Sequence, residues 1–288
     1  MTDFFYKTVK FFKLLYQKSF DDDIFSHAAQ VAFYFSFSLF PLLLVLVTIF
    51  GLVLESTHEL KQELYQYLNQ LMPPSVFQLV KNTIEEVIET SSGGKLTLGI
   101  FITIWSASSG LDSLRIALNS VYGLKETRAW WKTKILSIGL TLILIILSAS
   151  VLGLVFYGWQ LIQIGLNSMS MEVTSPFVLI TIEWTSILLM MVLAGELIYN
   201  LLPCHIKLKW QWITPGSIVA IILWLILAGV FRLYLENFNN YNRTYGSLGA
   251  MIILMLWLYL TALVILIGGA INSIVSEISS EKPEKNTS

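Results

Sequence analysis

Three stretches of this chain carry side chains whose types and spacing could do chemistry. The first is DDDIFSHAAQ, where Asp21, Asp22, Asp23 and His27 gather ahead of an apolar run. Carboxylates beside an imidazole could hold a divalent ion for phosphodiester hydrolysis. A metal site needs several convergent ligands, however, and the other histidines, His58 and His205, stand in distant segments. Aspartates at a helix start also cap it and interact favourably with its dipole. The sequence favours that reading, so no catalytic residue, metal ligand or cofactor is assigned.

The second stretch holds Glu183 and Glu196 inside the apolar run 176–202. Ionisable groups at membrane depth are costly and often functional. Glu183 is expected to reach interfacial water. Glu196 is a candidate proton-carrying or polar-cavity residue, with interfacial water as the alternative.

The third stretch is FNNYNRTYGSLG. Asn240 and Asn242 can bond local backbone in a turn, and Tyr241 and Tyr245 suit a membrane interface. Gly246 and Gly249 allow close backbone approach. Ser247 can cap a following helix, whose unpaired N–H groups attract anions, and Arg243 adds a full positive charge. These eight residues form a candidate site for an anionic headgroup. The alternative is a rigid turn that satisfies its own backbone.

The elements that must position these residues follow from composition. Hydrophobic residues make up 55% of the chain, charged residues 13%, and mean hydropathy is +0.69. Soluble domains carry about 25% charged residues. Crossing the hydrocarbon core takes about 20 apolar residues, and uncharged runs longer than that recur, as in 28–54 and 244–276. The pattern predicts an all-α polytopic membrane protein with six transmembrane helices. They fall at 28–54, 95–121, 135–164, 176–202, 213–235 and 247–276. A single membrane domain, 1–280, includes an interfacial helix over 1–20 and a helical hairpin over 55–94. The segment 281–288 reads as a disordered tail.

Within 1–20, Phe5, Val9, Phe12, Tyr16 and Phe20 share one helical face, and Lys7, Lys10 and Lys18 point the other way. Such a helix lies on an anionic leaflet or packs on the protein's own surface, and both readings stay open. Lysines punctuate this start, so it is no signal peptide. With the N-terminus inside, thirteen of the eighteen Lys and Arg residues flank the cytoplasmic ends. Both termini are therefore expected in the cytoplasm, with the hairpin and the Asn-rich string outside. Asp112 with Arg115, and Arg232 with Glu236, have spacings that pair on a helix. Ser106 with Gly110, and Ser109 with Ser113, have the small-residue spacing that lets helices approach closely.

Other chemistry is not encoded in recognisable form. The chain lacks a Walker lysine loop, HExxH, GxSxG and paired CxxC motifs. Its one cysteine, Cys204, excludes an internal disulfide. A net charge of −1 gives no footprint for nucleic acid.

Several segments are similar to the bacterial YihY/BrkB family of integral membrane proteins. They are AAQVAFYFSFSLFPLLL, LRIALNSVYGLKETR followed by WWK, LIYNLLP, ITPGSIVAIILW and NYNRTYGSLGAMIILMLWLYLTALVILIGGAIN. The resemblance covers nearly the whole chain and implies six transmembrane helices in the bacterial cytoplasmic membrane. Members have carried a ribonuclease BN label. At Ala270 the family commonly has a glutamate, so a mechanism needing a carboxylate there is weakened. The reading favoured is a membrane protein that transports or hosts a lipid-like or other envelope substrate without its own ATPase. The alternatives are a scaffold in envelope assembly and a membrane-bound ribonuclease using Asp21–Asp23 and His27. Expected partners are membrane lipids, anionic headgroups among them, and a second copy or an envelope protein.

Overall fold

The computed structural model describes residues 2–38, 93–167, 176–204, 212–237 and 247–280, with isolated positions between 62 and 82. Seven helical stretches fall among them. They are α1 (Thr2–Asp21), α2 (24–38), α3 (Gly93–Val121), α4 (Trp130–Asn167), α5 (Pro176–Leu201), α6 (Pro215–Asn237) and α7 (Ser247–Ser280). The architecture is that of an all-α, multi-helix membrane protein.

Four of these helices are long and apolar enough to cross a bilayer, over Trp130–Val151, Trp184–Leu201, Pro215–Glu236 and Met251–Ile278. They coincide with the third to sixth expected crossings. The second expected crossing, 95–121, lies on α3, a helix of 29 residues. It is absent from these four because SASSGLDSLR brings serines, an aspartate and an arginine into its second half. Of the first crossing, 28–54, the described part is 28–38, and it is helical. The hairpin over 55–94 and the tail over 281–288 lie almost wholly outside the described residues.

The chain groups into two compact units, one of Met1–Tyr34 with Leu111–Ser288 and the other of Phe35–Gly110. In the larger unit, α7 packs against α6 and α1, and α5 packs against α4 and α6. Its fully buried side chains include Leu114 and Leu118 of α3, Leu140 of α4, Leu202, and Leu266 and Ile274 of α7. In the smaller unit, Gly110 faces the Phe35 ring so closely that a Cβ would lie 3.1 Å from it. A side-chain ring, rather than a neighbouring helix backbone, fills the space beside Gly110.

Two glycines set the α6–α7 crossing. A Cβ on Gly216 would lie 2.0 Å from the Gly268 carbonyl oxygen, and one on Gly268 would lie 2.2 Å from the Tyr199 hydroxyl. Backbone therefore meets backbone here. Membrane helices lack a hydrophobic drive to associate with each other, so van der Waals packing of this kind holds them together.

Candidate functional site

The α5–α6 junction is built around Glu196. This residue lies in the penultimate turn of α5 and is 3% exposed. Its Oε1 accepts from the Thr214 backbone N–H at 2.7 Å, from the Thr214 hydroxyl at 3.1 Å and from the Ser217 hydroxyl. Its Oε2 accepts from Asn200 Nδ2 at 3.0 Å. None of these donors is charged. The carboxylate is thus satisfied by dipoles alone, deep among helices.

Local sequence explains the arrangement. Thr214-Pro215 opens α6 with a cap residue followed by proline at the first helical position, where a missing N–H costs nothing. The Thr214 carbonyl accepts from Ser217 N at 3.2 Å and its hydroxyl from the same N–H at 3.3 Å. The donors left over at this N-terminus attract an anion, and Glu196 supplies it from the preceding helix. Asn272 of α7 joins the cluster, donating to the Thr214 hydroxyl at 3.1 Å and accepting from Gly216 N at 2.7 Å. Tyr199 donates to the Ile265 carbonyl at 2.8 Å. Burial pushes the Tyr122 hydroxyl up to about 12, with the Asn272 hydrogen bond pulling against it and the Glu196 charge adding to it.

A second polar system clamps the α3–α4 connection beside the same junction. Arg128 grips Glu126 with Nε at 2.8 Å and NH2 at 3.0 Å, and its backbone N–H adds a bond at 3.1 Å. Arg115 donates to the same carboxylate, as does Asn119 at 3.1 Å. Hydrogen bonds from Arg128 above all hold the Glu126 carboxyl well below the usual carboxylate range, against the upward push of burial. Arg128 also caps the end of α5, donating to the Leu202 carbonyl at 2.7 Å. Asn119 Oδ1 accepts from Cys204 N at 2.7 Å. The Asp112–Arg115 pair expected from spacing exists at 3.7 Å. Asp112 sits closer to Lys134, at 2.9 Å, and to the Ser137 hydroxyl, at 2.7 Å.

Comparison with known proteins places the chain. A family model described as Virulence factor BrkB matches residues 15–288. The chain belongs to the YihY/BrkB family. The ribonuclease-like protein YfkH of Bacillus subtilis is 30% identical over 261 residues, 91% of this chain and 93% of that protein. A UPF0761 membrane protein of Xanthomonas axonopodis pv. citri is 28% identical over 280 residues, 94% of this chain but 62% of the relative. One from Xanthomonas oryzae pv. oryzae is 27% identical over 277 residues, 93% of this chain and 61% of the relative. The chain thus spans about three-fifths of the length of the Xanthomonas proteins. No solved structure matches it.

For this YihY/BrkB member, the residues singled out from sequence distribute unevenly. Asn240, Tyr241, Asn242, Arg243, Tyr245 and Gly246 lie outside the described residues. Ser247 opens α7, and Gly249 is buried in its first turn. Asp23 takes a left-handed conformation, φ 50°, between α1 and α2, and His27 N–H donates to its carbonyl at 3.0 Å. Asp22 stays near Lys18 at 3.9 Å, and burial raises its carboxyl. Among the described residues no three His, Cys, Asp or Glu side chains are placed to hold a metal ion. Among the described candidates, Glu196 is buried and surrounded by neutral hydrogen-bond donors. Asn119, Glu126, Arg128, Asn200, Thr214, Ser217 and Asn272 were not foreseen, although all seven lie inside the stretches that resemble the family.

Proposed function

We propose that this protein is an ATP-independent membrane carrier for an amphiphilic, lipid-like compound of the bacterial envelope, with Glu196 as its ionisable working group. The observation that carries the proposal is the Glu196 carboxylate, buried in a spanning helix and held by neutral donors from α5 and α6. Its donors are all neutral, so no fixed cation holds it. Protonation would turn one oxygen from acceptor to donor and detach it from the N-terminus of α6. That is a route from a proton to a helix movement. The positive-inside pattern supports a cytoplasmic position for this junction and for both termini. Asp21–Asp23 and His27 are assigned no catalysis; they serve the turn between α1 and α2.

The test uses proteoliposomes holding the purified chain and fluorescent phosphatidylglycerol, with dithionite quenching to follow transfer between leaflets. Wild type should speed transfer over protein-free liposomes, more so under a pH gradient. Glu196→Gln, which keeps one oxygen for Thr214 and Ser217, should insert normally and lose the response to the gradient. Transfer no faster than in empty liposomes would overturn the carrier reading and leave a scaffold. An unchanged gradient response in Glu196→Gln would remove Glu196 from it.

A further inference from the structure

Helix α1 has two apolar sides, and among the described residues only one is covered. Phe11, Leu14, Leu15, Lys18 and Ser19 form its half-buried side, and the helix packs against α7. Val9, Phe12, Tyr16 and Phe20 form the other side and stay exposed, Phe12 at 63% and Tyr16 at 67%. The rings run on as a strip, with Tyr16 and Phe20 centroids 4.8 Å apart and Phe20 and Phe25 5.5 Å apart. Val9, Phe12, Tyr16 and Phe20 belong to the face whose periodicity marks α1 as amphipathic, so the protein leaves that face uncovered.

We infer that this strip docks α1 in the plane of an anionic membrane leaflet, as a membrane-reading arm independent of any transport by the chain. Helix α1 carries four lysines, Lys7, Lys10, Lys13 and Lys18, against Asp3 and Asp21, with Asp22 and Asp23 following, and these charges keep it out of the hydrocarbon core. Of the lysines, exposed Lys10 and Lys13 fit anionic headgroups, each lysine near such a surface favouring binding by roughly fivefold. Lys18 instead sits on the half-buried side, 3.9 Å from Asp22. Lys13 is exposed directly beside the aromatic strip, and Lys10 is exposed next along the same arc. Aromatic rings at the acyl boundary with lysines reaching to the headgroups is the geometry of an interfacial helix. A second copy fits less well, because two such faces meeting about a twofold axis would bring Lys13 against Lys13. Exposed Trp130, Trp131 and Trp212 add side chains of the type that settles at headgroup level.

The test places an environment-sensitive fluorophore on Tyr16→Cys, and on Leu15→Cys as a protein-facing control, with buried Cys204 as the measured background. Each full-length variant is reconstituted, one chain per nanodisc, with or without phosphatidylglycerol. The label at 16 should report an apolar setting and be quenched by lipids labelled near the headgroup, and the label at 15 should be quenched far less. Lys10→Glu with Lys13→Glu should lower that quenching, and omission of phosphatidylglycerol should lower it too. A water-exposed label at 16 would overturn the inference. So would a label at 16 that is shielded but not quenched by lipid, or shielded only when two chains share a disc, because a protein surface would then be the partner.

Discussion

Gly216→Ala is the sharpest test of the packing. The new Cβ would lie 2.0 Å from the Gly268 carbonyl oxygen and 2.6 Å from Asn272 Cγ. A contact tighter than 3.0 Å cannot persist, and the atom in the way is backbone. Helices α6 and α7 would have to part by about 1 Å, on the scale of overpacking that costs about 1–3 kcal/mol. The displacement also strains the Gly216 N to Asn272 Oδ1 bond of 2.7 Å, which contributes about 1 kcal/mol. The combined loss is on the order of 2–4 kcal/mol. Gly229, on the same helix, provides the control, because nothing lies within 4 Å of its added Cβ. Gly229→Ala should be neutral or stabilise by about 0.5–1 kcal/mol through helix propensity. Thermal unfolding of both variants in one detergent, followed by tryptophan fluorescence, reads the difference. Equal midpoints for the two variants would refute the close crossing.

Two further outcomes follow from the ion pairs. Glu126→Gln should lower the unfolding midpoint at neutral pH. The folded carboxyl is depressed below its ordinary value of 4.5, so its contribution is present above that value and fades as pH falls through the folded range. The midpoint gap between wild type and variant should hold steady at pH 6–8 and shrink below about 4.5; a gap that grows on acidification would refute the assignment. Arg232→Ala should change stability by less than about 0.5 kcal/mol, because its bond to Glu236 at 2.9 Å sits on side chains 81% and 54% exposed.

Much of the fold was legible because one-dimensional hydropathy is what a bilayer selects for. The spans on α4 to α7 needed only length and apolarity. Even Thr214-Pro215 carries a readable helix start. Pairings were another matter. Cys204 N reaches Asn119 across 85 positions and Arg128 reaches Leu202 across 74, and no local pattern encodes which ends of helices meet. Helices that are apolar all round also hide their packing face, so Gly216 and Gly268 looked like any other glycines. With α1 the pattern marked an apolar face correctly. It could not tell that a second, weaker face, Phe11, Leu14 and Leu15, would be the one to pack on the protein.

The α5–α6 junction has an electrostatic logic that bears on how it could move. A helix C-terminus favours a cation and an N-terminus an anion. Arg128 meets the carbonyls at the end of α5, and Glu196 meets the donors opening α6. Each dipole end is closed by a charge the chain itself supplies. The two closures differ in one respect. An arginine stays protonated at any working pH, and Glu126 holds Arg128 in a two-pronged grip, so that side is fixed. The Glu196 carboxylate is instead held by hydroxyls, an amide and one backbone N–H, with no charged partner among its donors. Glu196 is thus the closure of this junction that holds no fixed cation. Its partner Thr214, which Asn272 of α7 also bonds, links the carboxylate to α6 and α7.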